Sequence, residues 1–383
     1  MWTNNKLQAI LNDLNKVDWS FEASSSNGDL TSLHPYPARF IPAIPKTIIE
    51  MVQKYNKHKK LRILDPFAGC GTVLTEGLKH NCDVVGIDIN GLAHLLEEVY
   101  TTSVSKLDVH KLTLLKMNVM RVLRSNKHVV PTPDIPHLDH WFDLNSITLI
   151  SNTLFVINKE KVKKVRQLGL LSLSRILVQL SRQKSETQYV AVQKFLTNEQ
   201  KINLLSDSFD IVIDFYSKQK KFKNKSSCIL GDSRQSDTYL NVSNINLVIT
   251  SPPYPNAYEY WLYHKYRMYW MGMDPIWSRT NEIGTRPHYS GSGKKNEWDF
   301  YRDIKKILFQ IDKVSSKDAL QFWVVGDSII KGKKINNSKI VIDAALEIGW
   351  ENVATCRRKI NRKRSSFQGI GNKEFENLLI FAK

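Results

Sequence analysis

The sequence is poor in cysteine, with four among its 383 residues: Cys70, Cys82, Cys228 and Cys356. None of them lies at the short spacing that zinc knuckles or redox-active pairs require. The ten histidines are scattered along the chain. We therefore expect reduced thiols, as in a cytoplasmic protein, and no metal site.

A secretion signal and a long apolar run are also missing. The chain begins Met-Trp-Thr-Asn-Asn, which is not the basic and then apolar pattern of a signal peptide. Even the apolar stretch at residues 147–157 is interrupted by Ser151, Asn152 and Thr153. We expect no membrane-spanning segment and a cytoplasmic location.

Acidic residues are few compared with basic ones. The 37 Asp and Glu residues stand against 55 Lys and Arg residues, which leaves a formal net charge of +18. An excess of this size indicates a polyanionic partner. The 42% of hydrophobic residues is ordinary for a globular protein, and the length predicts two domains or one domain enlarged by an insertion.

Two short apolar runs, each ending in an acid, predict a strand-helix-strand unit. The first ends at Asp65 and the second at Asp88, and a helix is expected from about Thr72 between them. Such a crossover makes the two strands parallel. Further strand signals are at residues 227–230, 245–250, 320–325, 352–359 and 377–382. Together they predict a Rossmann-like α/β fold with a doubly wound, mostly parallel sheet of seven strands, the last two forming an antiparallel hairpin.

A glycine-rich turn leads from the first strand into its helix, and its glycines would let the backbone approach a ligand closely. The turn consists of Asp65, Pro66, Phe67, Ala68, Gly69, Cys70, Gly71 and Thr72. It has neither the G-x-G-x-x-G pattern of dinucleotide sites nor the lysine of a phosphate-binding loop. Asp88 is placed to accept hydrogen bonds from ribose hydroxyls. The alternatives are a turn without a ligand and a helix N-cap at Asp88.

The segment Ser251-Pro252-Pro253-Tyr254 directly follows a predicted strand. Its prolines fix the backbone and provide no N–H donors, so acceptor oxygens can face a pocket. The lone pair of a nucleobase amino group is conjugated into the ring, and acceptors for its N–H hydrogens would help it to attack. We assign this role to the Ser251 hydroxyl and the Pro252 carbonyl, and base stacking to the Tyr254 ring. A Pro-Pro turn with a buried tyrosine is the alternative.

Taken together, residues 65–72 and 250–254 resemble the motifs of DNA methyltransferases that methylate exocyclic amino groups with S-adenosylmethionine. Within that family, Ser-Pro-Pro-Tyr is most often found in enzymes that make N4-methylcytosine. The resemblance implies a site-specific enzyme that methylates the N4 amine of a flipped cytosine in double-stranded DNA. It also implies a restriction-modification system with a cognate restriction endonuclease. The enzymes that methylate carbon 5 of cytosine use a catalytic Pro-Cys motif. In this chain, no cysteine is preceded by a proline.

The same resemblance implies further cofactor contacts. Residues 33–40 are similar to an N-terminal segment that packs beside the methionine part of the cofactor. The segment at Asp232 is similar to the third cofactor motif, whose acid contacts the adenine amino group. Outside the glycine-rich turn, the predicted cofactor-binding residues are His34, Pro35, Tyr36, Asp88, Ile89, Asp232 and Ser233.

The chain is divided into three parts by a change of pattern in its middle. Apolar residues recur at helical spacing over residues 144–154 and 168–180. We interpret residues 91–225 as a mainly helical insertion and a candidate DNA-recognition region. Residues 1–90 then form the N-terminal segment and the cofactor-binding half, and residues 226–383 form the catalytic half. Because the insertion precedes Asp232 instead of following it, the location of the DNA-reading part stays open.

Basic residues at the predicted C-terminal hairpin are candidates for phosphate contacts. Six of them lie within eight positions, at residues 357–364, where they could bind the DNA backbone or form a solvated loop. The predicted DNA-binding residues are Arg279, Arg286, Arg357, Arg358, Arg362, Lys363 and Arg364. Most aromatic residues between positions 261 and 270 are assigned to packing.

Three other functions stay open at this stage. Adenine-N6 methylation is one, because the same pocket suits any exocyclic amine. RNA base methylation is another, since a basic surface fits RNA as well as DNA. The third is a nucleic-acid-binding protein that retains the fold without turnover.

Overall fold

The computed structural model describes residues 4–21, 33–56, 60–125, 132–256, 258–290, 292–360 and 375–383. In these ranges, seven strands form one sheet. They are β1 (Arg62–Asp65), β2 (Asp83–Asp88), β5 (Ser226–Leu230), β6 (Ile245–Thr250), β7 (Ser315–Gly326), β10 (Glu351–Lys359) and β11 (Phe375–Ala382). Two hairpins lie outside this sheet: β3 (Gln183–Ser185) with β4 (Gln188–Ala191), and β8 (Ser328–Ile330) with β9 (Lys333–Ile335).

The order of strands across the sheet is β10-β11-β7-β6-β1-β2-β5. The strands from β7 to β5 pair in parallel, and β11 runs antiparallel to both β7 and β10. This confirms the predicted doubly wound, mostly parallel sheet and its C-terminal hairpin. The carboxyl ends of the parallel strands meet at one edge, which is where ligands bind in such folds.

Helices cover both faces of the sheet. The helices are α1 (Asn4–Leu14), α2 (Ala43–Tyr55), α3 (Thr72–Lys79), α4 (Gly91–Thr101), α5 (Lys106–Arg124), α6 (Leu138–Trp141), α7 (Leu144–Asn158), α8 (Lys163–Leu180), α9 (Asn198–Lys218), α10 (Tyr260–Trp270), α11 (Pro275–Asn281), α12 (Arg286–Tyr289), α13 (Glu297–Val314) and α14 (Asn337–Leu346). In the described ranges, none is long and apolar enough to cross a lipid bilayer.

Successive residues of the central strands enter two different cores. Ile63 and Leu247 pack with α1, α2 and α3, whereas Leu64 and Val248 pack with α13 and α14 on the other face. This alternation follows from the two-residue period of a strand, and burial on both faces explains why the strands are almost continuously apolar.

The chain between β2 and β5 is mainly helical, and its interpretation as an insertion stays a prediction. Helices α7 and α8 confirm the apolar spacing in its middle, and the β3–β4 hairpin was not predicted. Its core includes Leu96 of α4 and Trp270 of α10. Because α4 also packs on β2 and β5, the insertion is continuous with the elements that cover the sheet.

Candidate active site

A cavity of about 1140 Å³ lies at the carboxyl edge of the sheet. Its walls come from the ends of β1, β2, β5 and β6, from residues 36–43 and from the segment after α11. The predicted cofactor and catalytic residues that line it are Tyr36, Asp65, Pro66, Phe67, Ala68, Gly69, Thr72, Asp88, Ile89, Asp232, Ser233, Ser251, Pro252, Pro253 and Tyr254. The structure therefore brings the two predicted segments together in one cavity.

The glycine-rich turn passes twice through the left-handed backbone region. Gly69 and Gly71 have φ angles of 55° and 79°, which favour glycine. A Cβ at Gly71 would lie 3.4 Å from Cα of Glu97 in α4, and Gly71 itself is outside the cavity lining. The Ser233 hydroxyl donates to the Pro66 carbonyl at 2.5 Å, which ties the turn to the end of β5.

Asp65 joins the glycine-rich turn to the end of β6. Its Oδ1 accepts hydrogen bonds from the Thr250 hydroxyl at 2.6 Å and from the Phe67 amide at 3.0 Å. Thr250 is the last residue of β6 and precedes Ser251. Burial raises the pKa of Asp65 to about 7, although these two hydrogen bonds act in the opposite direction.

Asp88 ends β2 with its carboxylate directed to the glycine-rich turn. Its Oδ2 accepts from the Gly69 amide and its Oδ1 from the Asn90 amide, both at 2.8 Å. Burial raises the pKa of Asp88 to about 6, against the effect of these amides. The N-cap of α4 is Asn90, whose side chain accepts from the amides of Leu92 and Ala93. The N-cap alternative for Asp88 is therefore wrong.

Asp232 lines the cavity and forms an ion pair with Arg234, which the sequence analysis did not predict. Arg234 binds both of its carboxylate oxygens, with Nη2–Oδ2 at 2.7 Å and Nε–Oδ1 at 2.9 Å. Arg234 also pairs with Asp303 at 3.0 Å and donates to the Asn281 carbonyl at 2.7 Å. The signal in the sequence that could have indicated this ion pair is a basic residue two positions after Asp232. The arginine thus positions Asp232 and the wall at the end of α11 together.

The segment predicted to be catalytic begins at Ser251, whose Oγ lies 3.5 Å from the Tyr254 hydroxyl. That hydroxyl donates to the Val324 carbonyl at 3.2 Å. Gly284 allows the close packing of this segment, because a Cβ there would lie 2.6 Å from the Tyr254 carbonyl oxygen. The Tyr254 side chain packs in the core and the residue is 9% exposed. Only a small part of it is accessible to a base, and the stacking role stays a prediction.

Of the three N-terminal cofactor candidates, Tyr36 alone lines the cavity. Its ring stacks on His264 with centroids 4.9 Å apart. His34 is fully buried outside the lining, with Nε2 2.8 Å from the Ser174 hydroxyl oxygen in α8, and Pro35 also lies outside it. The structure therefore gives His34 a different role, which is to attach the segment to the insertion.

His34 belongs to a buried polar cluster that was not predicted. Arg267 of α10 donates to the Ser174 carbonyl at 2.9 Å and pairs with Glu186, in the β3–β4 turn, at 2.8 Å. Burial, and then the charge of Arg267, lowers the pKa of His34 well below its ordinary value. A neutral histidine in this cluster connects the N-terminal segment, the insertion and α10.

Glu282 is another cavity residue that sequence reasoning missed. Its two carboxylate oxygens accept from the Tyr260 and Trp261 amides at the start of α10, each at 3.0 Å. Burial raises the pKa of Glu282 to about 8, whereas the two amides lower it. Tyr260 stacks on Tyr36 with centroids 5.9 Å apart. Glu282 therefore supports the aromatic wall of the cavity.

Two of the predicted DNA-binding residues are exposed and lie over aromatic rings. The Arg279 guanidinium lies 5.1 Å from the Trp261 ring centroid, and that of Arg357 lies 3.7 Å from the Phe375 centroid. Both are accessible to phosphates. The candidates outside the described residues are Arg362, Lys363 and Arg364.

Arg358 is not part of such an open surface. It is 5% exposed, its Nη1 lies 2.5 Å from Oε2 of Glu376, and its Nε donates to the Trp19 carbonyl at 3.3 Å. Arg358 also lines the cavity, so the structure replaces its predicted phosphate contact with a place in the cavity wall. Arg286 is half-buried, 4.0 Å from Glu259. A search of the described residues finds no group of three or more His, Cys, Asp or Glu that could hold a metal ion.

No family model matches the chain. It is similar to the type II methyltransferase M.MvaI of Kocuria varians, with 23% identity over an alignment of 413 residues. The alignment covers 94% of this chain and 90% of the relative. It is also similar to M.AvaI of Nostoc sp., with 27% identity over 251 residues, 55% of this chain and 48% of the relative. The chain is thus similar to a type II methyltransferase over most of its length.

The chain is also similar, at low TM-scores, to solved structures of methyltransferases. One is the rRNA methyltransferase aviRa of Streptomyces viridochromogenes, with a TM-score of 0.35, 11% identity and coverage of 93% and 92% of the two chains. Another is a TehB-like methyltransferase of Corynebacterium glutamicum, with a TM-score of 0.30, 9% identity and coverage of 90% and 100%. The sheet described above is doubly wound and mostly parallel, as in Rossmann-like folds. S-adenosylmethionine is the cofactor that the sequence motifs lead us to expect.

The residues present fit this cofactor. Gly69 exposes backbone without a side chain to the cavity, and the Asp88 carboxylate is a suitable acceptor for ribose hydroxyls. Tyr36 and Tyr260 provide ring surfaces, which attract cations such as a sulfonium. Asp232 is available on the wall from β5.

Glu97 of α4 is a buried carboxyl behind the glycine-rich turn. It is fully buried, and neither of its oxygens has a hydrogen-bond partner in the described part of the chain. Burial, and then the charges of Asp88 and Asp65, raises the pKa of Glu97 well above its ordinary value. An ionised carboxylate without partners would be costly there, which favours the protonated form of Glu97 in the folded protein.

Glu97→Gln should therefore change the pH dependence of stability. The unfolded chain releases the Glu97 proton near its ordinary pKa of 4.5, whereas the folded chain keeps it. Wild-type stability relative to the variant should fall as pH rises above that value, by up to about 1.4 kcal/mol per pH unit, until the folded pKa is reached. Urea unfolding between about pH 5 and pH 8 measures this difference.

The control for this prediction is Glu347→Gln. A hydrogen bond from Lys305, and then one from Tyr301, lowers the pKa of that exposed carboxyl. Glu347 is therefore ionised in both states across this pH range, and its contribution should stay constant. A pH-independent difference for Glu97→Gln would contradict its protonation in the fold.

Proposed function

We propose that this protein is a DNA methyltransferase that transfers a methyl group from S-adenosylmethionine to the N4 amine of a cytosine flipped out of duplex DNA. The observation that carries the proposal is that the glycine-rich turn and the segment from Ser251 to Tyr254 face one cavity. The type II methyltransferase relatives and the net charge of +18 support it. In this proposal, the protein belongs to a restriction-modification system and acts in the cytoplasm beside a nuclease for the same sequence.

The cofactor side of the site orients the reaction. S-adenosylmethionine, when bound, supplies a methyl group activated by the sulfonium charge. Asp88 would accept hydrogen bonds from its ribose hydroxyls, and Gly69 would let the backbone come close to it. Asp232, held by Arg234, would offer its carboxylate to the adenine amino group. Each contact uses a group on the cavity wall.

The catalytic side prepares the target amine. Ser251 Oγ and the Pro252 carbonyl accept its N–H hydrogens, which makes the nitrogen pyramidal and frees its lone pair for attack on the methyl carbon. One N–C bond forms as one C–S bond breaks, and a neutral thioether leaves. The amine proton passes to solvent afterwards, because the nitrogen becomes acidic once methylated. No covalent intermediate with the protein is needed.

Expression in a host without DNA methylation tests the proposal. Sequencing and nucleoside analysis of the host DNA should show N4-methylcytosine in one short sequence, and the Ser251→Ala variant gives the background. N6-methyladenine instead would contradict the cytosine assignment. Unmethylated DNA from cells that contain folded, cofactor-binding protein would contradict DNA methylation altogether.

Two single variants should separate the two sides of the cavity. Ser251→Ala should lower kcat while cofactor affinity stays close to that of wild type, because the hydroxyl acts on the amine. Asp88→Ala should weaken cofactor binding by about tenfold to a hundredfold, since a charged acceptor is lost. Calorimetric titration and a methyl-transfer assay measure the two effects. An equal loss of cofactor affinity in both variants would contradict these roles.

DNA binding should depend steeply on salt, because phosphate contacts release counterions. Arg279→Gln should reduce the slope of log affinity against log salt concentration by about 1. Lys313→Gln is the matched control, since Lys313 also lies over an aromatic ring, 4.2 Å from the Phe309 centroid, but at the end of α13 just before β7 begins, at the sheet edge opposite the cavity. Fluorescence anisotropy with a short duplex measures the slopes. Identical slopes for Arg279→Gln and wild type would exclude Arg279 from the phosphate contacts.

A further inference from the structure

An ion pair lines the cavity beside the catalytic segment. Arg358, near the end of β10, and Glu376, near the start of β11, are directly opposite each other in the hairpin, and Nη1 lies 2.5 Å from Oε2. Both residues share the cavity lining with Ser251 and Tyr254. The Tyr254 hydroxyl lies 3.3 Å from Oε1 of Glu376 and 3.5 Å from Ser251 Oγ. The ion pair is thus connected to the proposed catalytic hydroxyl.

The pair is too little exposed to be an ordinary surface ion pair. Its side chains are 6% and 17% exposed for Arg358 and Glu376. Removing two charges from water is costly, and an apolar pair of similar volume is often as stable. The neighbouring strand β7 has a glycine, Gly326, next to this ion pair. Any other residue would crowd the pair, because a Cβ at Gly326 would lie 3.2 Å from Cγ of Glu376. Stability alone therefore does not account for these charges.

Arg358 has donors left for a ligand. A guanidinium carries five N–H groups, of which Nε donates to the Trp19 carbonyl and one on Nη1 donates to Glu376. Among the described residues, Nη2 has no hydrogen-bond partner. The edge formed by Nη1 and Nη2 can therefore donate two parallel hydrogen bonds to a molecule in the cavity.

We propose that Arg358, oriented by Glu376, is a specificity-determining residue that binds the ring edge of the target cytosine, an inference that rests on the proposed function. Beside its amine, cytosine carries two acceptors, N3 and O2, that a guanidinium can bind together. Adenine carries N1 beside its amine and then a C–H group, so it accepts one such bond. The pair favours cytosine over adenine, and Glu376 holds the guanidinium in position.

The test replaces one acceptor of the base and one donor of the protein. Duplexes contain the methylated sequence with cytosine or with 3-deazacytosine, in which carbon replaces N3, and kcat/KM is measured for each. Wild type should lose about tenfold or more on the analogue, because a hydrogen bond from a charged donor is missing. Arg358→Met should discriminate much less. The lower or higher intrinsic reactivity of 3-deazacytosine affects wild type and Arg358→Met equally. The ratio of their losses in kcat/KM therefore measures the contact between Arg358 and N3 alone.

Two further variants separate base recognition from stability. Arg358→Met/Glu376→Gln removes both charges, so no carboxylate is left unpaired, and it should lose discrimination as the single variant does. Lys201→Met is the matched control, because the Lys201 side chain is 4% exposed and pairs with Asp143 at 2.6 Å away from the cavity. It should lower the thermal unfolding temperature and keep wild-type discrimination. Thermal unfolding and cofactor affinity are measured for every variant.

The outcomes distinguish this inference from the proposed function. Wild-type discrimination in both Arg358 variants would overturn the inference while cytosine methylation by wild type stands. Equal kcat/KM of wild type for the two duplexes would overturn it even where the variants do not fold. Wild type that methylates adenine, or no base in DNA, would overturn the proposed function and the inference together.

Discussion

The hydrogen bond between Thr250 and Asp65 is the contact on which the arrangement of the site depends. It forms because β1 and β6 are parallel neighbours whose register places Ile63 opposite Leu247. A shift of one residue would separate the two side chains and turn every side chain of the shifted strand to the opposite face. Because the two faces pack in different cores, the packing of both cores sets the register, and the register sets the distance between the glycine-rich turn and Ser251. The chemistry depends on the packing of the core through this bond.

The fold was largely predictable because its central strands are short, apolar and bounded by clear turn residues. The β10–β11 hairpin and the strand ending at Thr250 were recognised on this basis. The first part of β7 was not, because it starts at Ser315 with the polar sequence Ser-Ser-Lys-Asp, which is incompletely buried. The β3–β4 hairpin was missed for a similar reason, since its strands are three and four residues long and mostly polar. Strands without an apolar pattern form because of the segments that they pair with in the folded chain, and the local sequence does not predict them.

The site was predictable where its residues are adjacent in the chain and not where they meet from distant segments. The glycine-rich turn and the segment at Ser251 are local patterns that carry their own geometry. Arg358, in contrast, belongs to a run of basic residues that is typical of a surface, and its partner Glu376 is reached only through the hairpin. Glu282 and His34 likewise have partners that only the tertiary structure brings close. A sequence shows which charges exist but not which of them are paired and buried.

The distribution of charged residues in this basic protein favours different places for a cationic cofactor and for the phosphates of DNA. One side of the cavity carries carboxyls at Asp65, Asp88 and Glu282. Burial raises their pKa values to about 7, 6 and 8, and repulsion by the charge of Asp88 adds to the shifts of Asp65 and Glu282. A cationic sulfonium compound would relieve that repulsion, because it favours the ionised form of each carboxyl. DNA phosphates would increase it. Two of the predicted DNA-binding residues, Arg279 and Arg357, are exposed outside the cavity lining, whereas Lys46 and Lys79 are exposed within it. Phosphates are therefore disfavoured at the wall that carries the three carboxyls, and an uncharged base can approach that wall more easily than its phosphates can.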